Sequence, residues 1–206
     1  MNKRILSVFI IMLMISITLP VSIYAGSKED PEIEDEKGDA FGYIDIDSVW
    51  FYEDEENPDL LCVYMKINEP SEITFQQTFA AFWNYKGIRY SVSLHLAFSV
   101  KEWYKFRVGE YKEPDRGADH SKINGSYDLD SGIITWIVPK EDIGNPNAGD
   151  LLTNTWSNAF RRLGIIGRIG FTRHVIDAII LQVLGNNMWD YAPERGNYGR
   201  DYVMKY

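Results

Sequence analysis

Ile88 to Phe98 reads IRYSVSLHLAF. Ile88, Tyr90, Val92, Leu94, Leu96 and Phe98 alternate with Arg89, Ser91, Ser93, His95 and Ala97. Successive side chains of an extended chain point to opposite faces, so this spacing predicts a half-buried antiparallel strand. Lys86-Gly87 stands just before it as a hairpin turn, and Thr74 to Tyr85, rich in Phe and Trp, is the strand on the other side. The same period of two recurs outward in both directions. Tyr43 to Glu53 alternates Ile44 and Ile46 with Asp45 and Asp47. Glu55 to Asp59 is a turn, and Leu60 to Ile67 a strand expected to be covered on both faces at its start. Trp103 to Tyr111 alternates again, and Asp115 to Gly125 is a polar loop. Ser126 to Leu129 and Ile133 to Val138 flank the turn Asp130-Ser131-Gly132. Leu151 to Phe160 and Tyr202 to Tyr206 complete the set. Many short strands punctuated by Gly, Pro and Asn predict an all-β fold, an antiparallel β-sandwich of jelly-roll or immunoglobulin-like type, over 41–206.

One stretch breaks the period. Thr172 to Leu184 (TRHVIDAIILQVL) places Val175, Ile176, Ile179, Ile180, Val183 and Leu184 at helical spacing, with Thr172 as cap and Gly185-Asn186 as stop. A short helical excursion near 160–188 is therefore expected. It either docks its apolar stripe on the sandwich or lies on an anionic membrane surface.

The amino terminus has a different character. Lys3 and Arg4 precede an apolar run from Ile5 to Leu19, Pro20 interrupts it, and Ala25 closes a small-residue ending. This is the layout of a signal peptide over 1–25, cleaved after Ala25, with an uncleaved anchor as the alternative. A secreted or cell-surface protein follows. Membrane contact is expected only through 160–188 or a retained signal. Residues 26–40 (GSKEDPEIEDEKGDA) carry one Ile and no aromatic residue, too little apolar surface to offset ordering, and read as an acidic solvated linker or a weak cation-binding tail.

Composition narrows the function. The chain has 206 residues, 30 acidic against 21 basic, one cysteine, and a formal charge of −9. One cysteine excludes a disulfide scaffold, and the charge argues against a nucleic-acid binder that works by neutralising phosphates. There is no G-x-S-x-G and no H-E-x-x-H motif, and His95, His120 and His174 lack ligand spacing, so no nucleophilic constellation stands out; paired carboxylates of the glycosidase kind are uninformative among 30 acids, and a non-catalytic chain is expected. Cys62 reads as a small buried hydrophobe. Oxygen-rich positions on the first and last strands, Asp45, Asp47, Asp190 and Asp201, are candidates for a structural Ca²⁺ that clamps the two ends; the alternative is solvated acids at strand ends. Six Trp, thirteen Tyr and ten Phe exceed what a core of this size needs. Trp136 reads as core, whereas Trp83, Trp103, Trp156 and Trp189 lie near turns or polar residues and are the candidate ligand-binding aromatics, since sugar C–H faces stack on rigid rings.

Ile133 to Thr155 reads IITWIVPKEDIGNPNAGDLLTNT. A strand, Val-Pro, a short turn holding Ile143 and Gly144, then Asn-Pro and Gly-Asp before the next strand, resembles the late part of family-nine-type carbohydrate-binding modules and the related DOMON-like sandwiches. The Asp45 to Trp50 strand, Asp190-Tyr191-Ala192-Pro193 and Gly199-Arg200-Asp201-Tyr202 look like the ends of secreted archaeal and bacterial proteins of that kind. The resemblance covers about 40 residues well. It implies a jelly-roll-like sandwich that binds sugars between aromatic side chains, often with structural calcium. Some DOMON-like members bind haem through a Met and a His, for which Met65 and His174 are the plausible pair here. The expected role is non-catalytic binding of a carbohydrate or other cell-surface ligand. The alternatives are a haem- or redox-binding domain and a structural, envelope-associated protein.

Overall fold

A computed structural model of the chain describes residues 26–40, 43–70, 76–96, 105–111, 120–162 and 189–206. The strands are β1 (Ile33–Glu34), β2 (Ile46–Tyr52), β3 (Leu60–Ile67), β4 (Gln76–Tyr85), β5 (Ile88–Leu96), β6 (Lys105–Glu110), β7 (His120–Lys122), β8 (Asn124–Asp128), β9 (Ile133–Pro139), β10 (Leu151–Arg162), β11 (Trp189–Ala192) and β12 (Tyr202–Val203). One sheet has the order β1-β2-β3-β9-β8; the other is seven-stranded, β11-β10-β4-β5-β6-β7 with β12 on the start of β10. Every pairing is antiparallel. The fold is the all-β sandwich that the alternation predicts. Its lone helical turn among the described residues is the 3-10 segment Lys140–Ile143, which follows Pro139 and ends at Gly144 in the left-handed region (φ 83°).

The period-two pattern sets the layers. From β5, Tyr90, Val92, Leu94 and Leu96 enter the core, and from β4, Phe79, Ala81 and Trp83 meet them. From the facing sheet come Val49 and Phe51 of β2, Leu61, Val63, Met65 and Ile67 of β3, and Ile134, Trp136 and Val138 of β9. The β4–β5 hairpin closes at Lys86 and Gly87, both with positive φ (48° and 79°), the two-residue geometry whose twist matches paired strands. Gly125 on β8 has a packing reason of its own. A Cβ there would fall 2.3 Å from the Phe106 ring of the other sheet.

Several expectations change. Residues 26–40 are built into the sandwich and are not a solvated linker. Ile33 is fully buried, and β1 pairs with β2 through Ile33–Val49 and Glu34–Ser48. Glu32 accepts a hydrogen bond from Phe51 N (2.9 Å), and Arg200 holds Asp30 (2.5 Å) and the Pro31 carbonyl. One Ile suffices because backbone pairing and charge partners far along the chain supply the rest. Gly26 is packed so closely that a Cβ would lie 2.4 Å from the Phe51 carbonyl oxygen. β3 is covered on one face only: its residues alternate strictly, so Cys62 is half-buried, not a core side chain. Part of the expected polar loop forms β7. Phe160 to Arg162, at the edge of the expected helical excursion, continue β10 as strand, and Trp189 to Ala192 form β11. The rest of that excursion, Trp103 and the signal segment 1–25 lie outside the described residues. Among the described residues no helix is long and apolar enough to cross a membrane.

Candidate metal centre and aromatic sheet face

Three strands converge where the amino-terminal segment meets β11. β11 runs beside β10 with Asp190 opposite Ala159, so its inward face carries Asp190 and Ala192 into the edge of the core. Asp190 is 2% exposed. Its Oδ2 accepts the backbone N–H of Ile46 (2.6 Å) as β2 begins. Asp35 follows β1, and its N–H donates to the Asp47 carbonyl, which holds it against the same corner. Asp39 comes four residues later, at the surface. One carboxylate oxygen from each of Asp35, Asp39 and Asp190 lies within 4.8 Å of the others. Asp190 Oδ1 and Asp35 Oδ2 are buried with no hydrogen-bond donor.

Electrostatics at this corner run one way. Burial pushes Asp35 up to about 8, with Asp190 and Asp39 adding to it. Burial pushes Asp190 up to about 6, opposed by the Ile46 N–H and helped by Asp39 and Asp45. Asp39 and Asp45 are raised in the same way. For the Asp35–Asp190 pair, two full charges at this separation repel by about 3 kcal/mol in an effective dielectric of about 20. A proton or a cation relieves that repulsion. A hard cation takes oxygen ligands at about 2.4 Å, a radius that oxygens no more than 4.8 Å apart can share around one centre. This partly buried carboxylate group can therefore hold a metal ion.

Of the acids expected at such a site, the structure brings Asp190 to the centre. Asp45 is 2% exposed and close enough to act on Asp190, while its own Oδ2 accepts from Gly38 N (2.9 Å). Asp47 bonds Ser48 Oγ (3.0 Å), and Asp201 is exposed and accepts from Asn154 N (3.3 Å); neither is among the three acids. Asp35 and Asp39 escape sequence reasoning because they sit in an acidic run with no pattern to separate ligands from solvated charges.

The aromatics divide by strand register. Trp83 points inward, is fully buried and meets Phe51 edge-on (5.6 Å), so it is a core residue and offers no face to a ligand. Trp156 and Phe160 of β10 lie on the opposite face, outside the core, in register with Phe82 and Thr78 of β4. Trp189 and Tyr191 of β11 extend that face, opposite Phe160 and Asn158. Trp156 stacks on Phe82 (3.9 Å, 6° between planes), and Trp189 stacks on Phe160 (4.7 Å, 24°) and lies nearly parallel to Tyr191 (6.3 Å, 10°). Trp189 is 42% exposed. Tyr111 meets Phe82 edge-on (5.2 Å), with the Arg89 guanidinium over its ring. His95, exposed on the same face, bonds Thr78 Oγ1 (3.1 Å) and Ser93 Oγ (3.3 Å). Met65 faces the core from β3, wholly buried, and His174 lies outside the described residues.

No protein-family model matches the chain, and no curated protein or solved structure matches it either, so what the structure shares with the motif-based resemblance is the two-sheet antiparallel sandwich.

Proposed function

We propose that the protein is a non-catalytic, extracytoplasmic carbohydrate-binding sandwich, stiffened by a structural Ca²⁺ held by Asp35, Asp39 and Asp190. The observation that carries the binding role is the non-core face of β10 and β11. There Trp156, Phe160, Trp189 and Tyr191 stand in register around Asn158, with rings stacked in parallel pairs. Rigid parallel rings beside amide and hydroxyl groups match the alternation of apolar C–H faces and hydroxyls on a sugar. The basic start, apolar run and Ala25 of the first segment support export. Oxygen-only ligands with irregular placement suit Ca²⁺, which accepts six to eight oxygens in flexible geometry, better than Mg²⁺.

A glycan array followed by tryptophan-fluorescence titration tests the reading. Hits with dissociation constants of about micromolar to millimolar are expected, because a few stacked sugar faces bury little area. Trp189→Ala is expected to weaken binding at least tenfold while leaving the melting temperature near that of the parent. An array without hits, and a Trp signal that no saccharide moves, would leave a purely structural envelope role.

A further inference from the structure

Gly26 sits where no side chain fits. It is buried, its φ is 94°, and a Cβ on it would fall 2.4 Å from the Phe51 carbonyl oxygen and 2.7 Å from the Tyr202 ring. The chain then folds back on itself. Ser27 and Asp30 pair as an isolated antiparallel bridge, and Asp30 N donates to the Ser27 carbonyl (3.2 Å) and to Ser27 Oγ (3.2 Å). One step outward from that bridge, Gly26 lies across from Pro31, beside Glu32. Phe51 ties the two together. A residue of an antiparallel strand turns its N–H and its C=O to the same side. The Phe51 N–H donates to Glu32 Oε2 (2.9 Å), and its carbonyl faces Gly26. Glu32 is 2% exposed, and its other oxygen, Oε1, is buried without a donor. The nearby Arg200 guanidinium is engaged by Asp30 and the Pro31 carbonyl, and burial still holds the Glu32 carboxyl up at about 7. A compact cation with several donors is what this corner lacks.

We propose that Gly26 is the first residue of the working protein and that its α-ammonium, released when the signal segment is cut away, closes this corner by pairing with Glu32. The inference rests on the export reading above and gives the cut a structural consequence. Hydrolysis of the Ala25–Gly26 amide, with water as co-reactant and a signal peptidase as catalyst, breaks one C–N bond and leaves a carboxylate on Ala25 and an ammonium on Gly26. An ammonium has three N–H donors, and Glu32 Oε1 and the Phe51 carbonyl oxygen are acceptors at the same spot. The amide N–H of an uncut chain offers one donor and no charge at that atom. An opposite charge beside a buried carboxylate favours its ionised form. The cut therefore turns Glu32 from a group that holds a proton near neutrality into half of an ion pair, and adds stability that the precursor lacks.

Two forms of the chain test this, each released from a carrier: one starts at Gly26, the other has a single extra Ala before it. Near pH 7, below the ordinary amine range of about 7.7–8.0, the Gly26 form is expected to melt several degrees higher. Glu32→Gln is expected to act on the two in opposite directions. It lowers the melting temperature of the Gly26 form, which loses its ion pair, and raises that of the extended form, which loses a buried carboxyl without a partner. An amine-reactive reagent should label the α-amine of the Gly26 form many-fold faster after unfolding than in the folded protein. The intact mass of the exported protein separates the inference from the reading beneath it. A mass that starts at Gly26, with equal melting of the two forms and one sign of the Glu32→Gln effect in both, overturns the inference and leaves export standing. A mature chain that starts elsewhere, or that keeps Met1 to Ala25 in a membrane fraction, removes both.

Discussion

Two buried-charge sites fasten the ends of this chain, and they are built on opposite principles. At the carboxyl-terminal end, Glu53 is fully buried and faces the Lys140 ammonium at 2.6 Å. Its other oxygen accepts from Lys205 N (2.6 Å) and Tyr202 Oη (3.2 Å), while Lys140 also donates to the Tyr206 carbonyl. Every charge there has its counterpart within the protein. At the amino-terminal end, Asp35, Asp39 and Asp190 bring three carboxylates together, and two of their buried oxygens lack a donor. The first site is complete as folded. The second is complete only with a proton or a cation from outside, which makes its stability a function of solution conditions.

The largest expected effect comes from breaking the complete site. Lys140→Ala leaves Glu53 buried and unpaired, and is expected to destabilise the fold by about 3–5 kcal/mol in denaturant unfolding. Adding Glu53→Gln should recover a large part of that loss. Full recovery of neither stability nor the Tyr202 contact would mean that the ammonium matters for packing more than for charge.

In a chain still extended before Gly26, Glu32 offers the next effect, because it lies between the two principles. It accepts from Phe51 N, and burial still raises it from 4.5 to about 7 despite nearby Arg200. A folded-state value above the unfolded one means that the folded protein holds the proton more tightly. Stability is then greatest below about pH 4.5 and declines as pH rises through about 7, by about 3 kcal/mol over that window for this group. Glu32→Gln keeps the acceptor and removes the titration. Its unfolding free energy is expected to lose this slope, so that the variant matches the parent near the acidic end and exceeds it near neutrality. A parallel pH profile for the two proteins would contradict the assignment.

How far the sequence reached follows the same division. Alternation in β9 was readable because one of its faces is the more deeply buried. β5 alternates in sequence as well, but it is not the half-buried strand expected: Tyr90 to Leu94 are buried on both faces, with Ser91 and Ser93 the small polar residues of the second. β1, β7 and β11 were not readable. β1 and β7 are two or three residues long and are held by pairing with β2 and β6, while β11 is tied through Asp190 to Ile46 of the other sheet. The site was half readable. Asp190 and Asp45 stand out as acids on strands at the two ends, whereas nothing local distinguishes Asp35 and Asp39 from Glu34 and Glu36. Trp83 misled because its neighbours Asn84 and Lys86 are polar, yet register sends it inward opposite Tyr90. Asp201 misled similarly, since its exposed carboxylate accepts the Asn154 N–H and lies outside the group of three acids.

Asp201→Asn marks the small end of the scale. It is expected to change stability by no more than about 0.5 kcal/mol and to leave any response to Ca²⁺ unaltered. A loss of that response would move the ion away from Asp35 and Asp39.

The most direct test of the incomplete site is calorimetric melting at about pH 8, where proton competition at the cluster is weakest, on protein stripped with chelator and then titrated with Ca²⁺. The account expects the melting temperature to rise with Ca²⁺, by the equivalent of about 2.7 kcal/mol at a hundredfold excess over the dissociation constant, and to fall again on adding chelator. In Asp190→Asn, whose amide oxygen can still accept from Ile46 N, the response should vanish, and the metal-free variant should melt above the metal-free parent because a buried repulsion is gone. An unchanged melting temperature on loading the parent, or a metal-free Asp190→Asn that melts well below it, would contradict the claim that this corner of the sandwich is built to be closed by a cation.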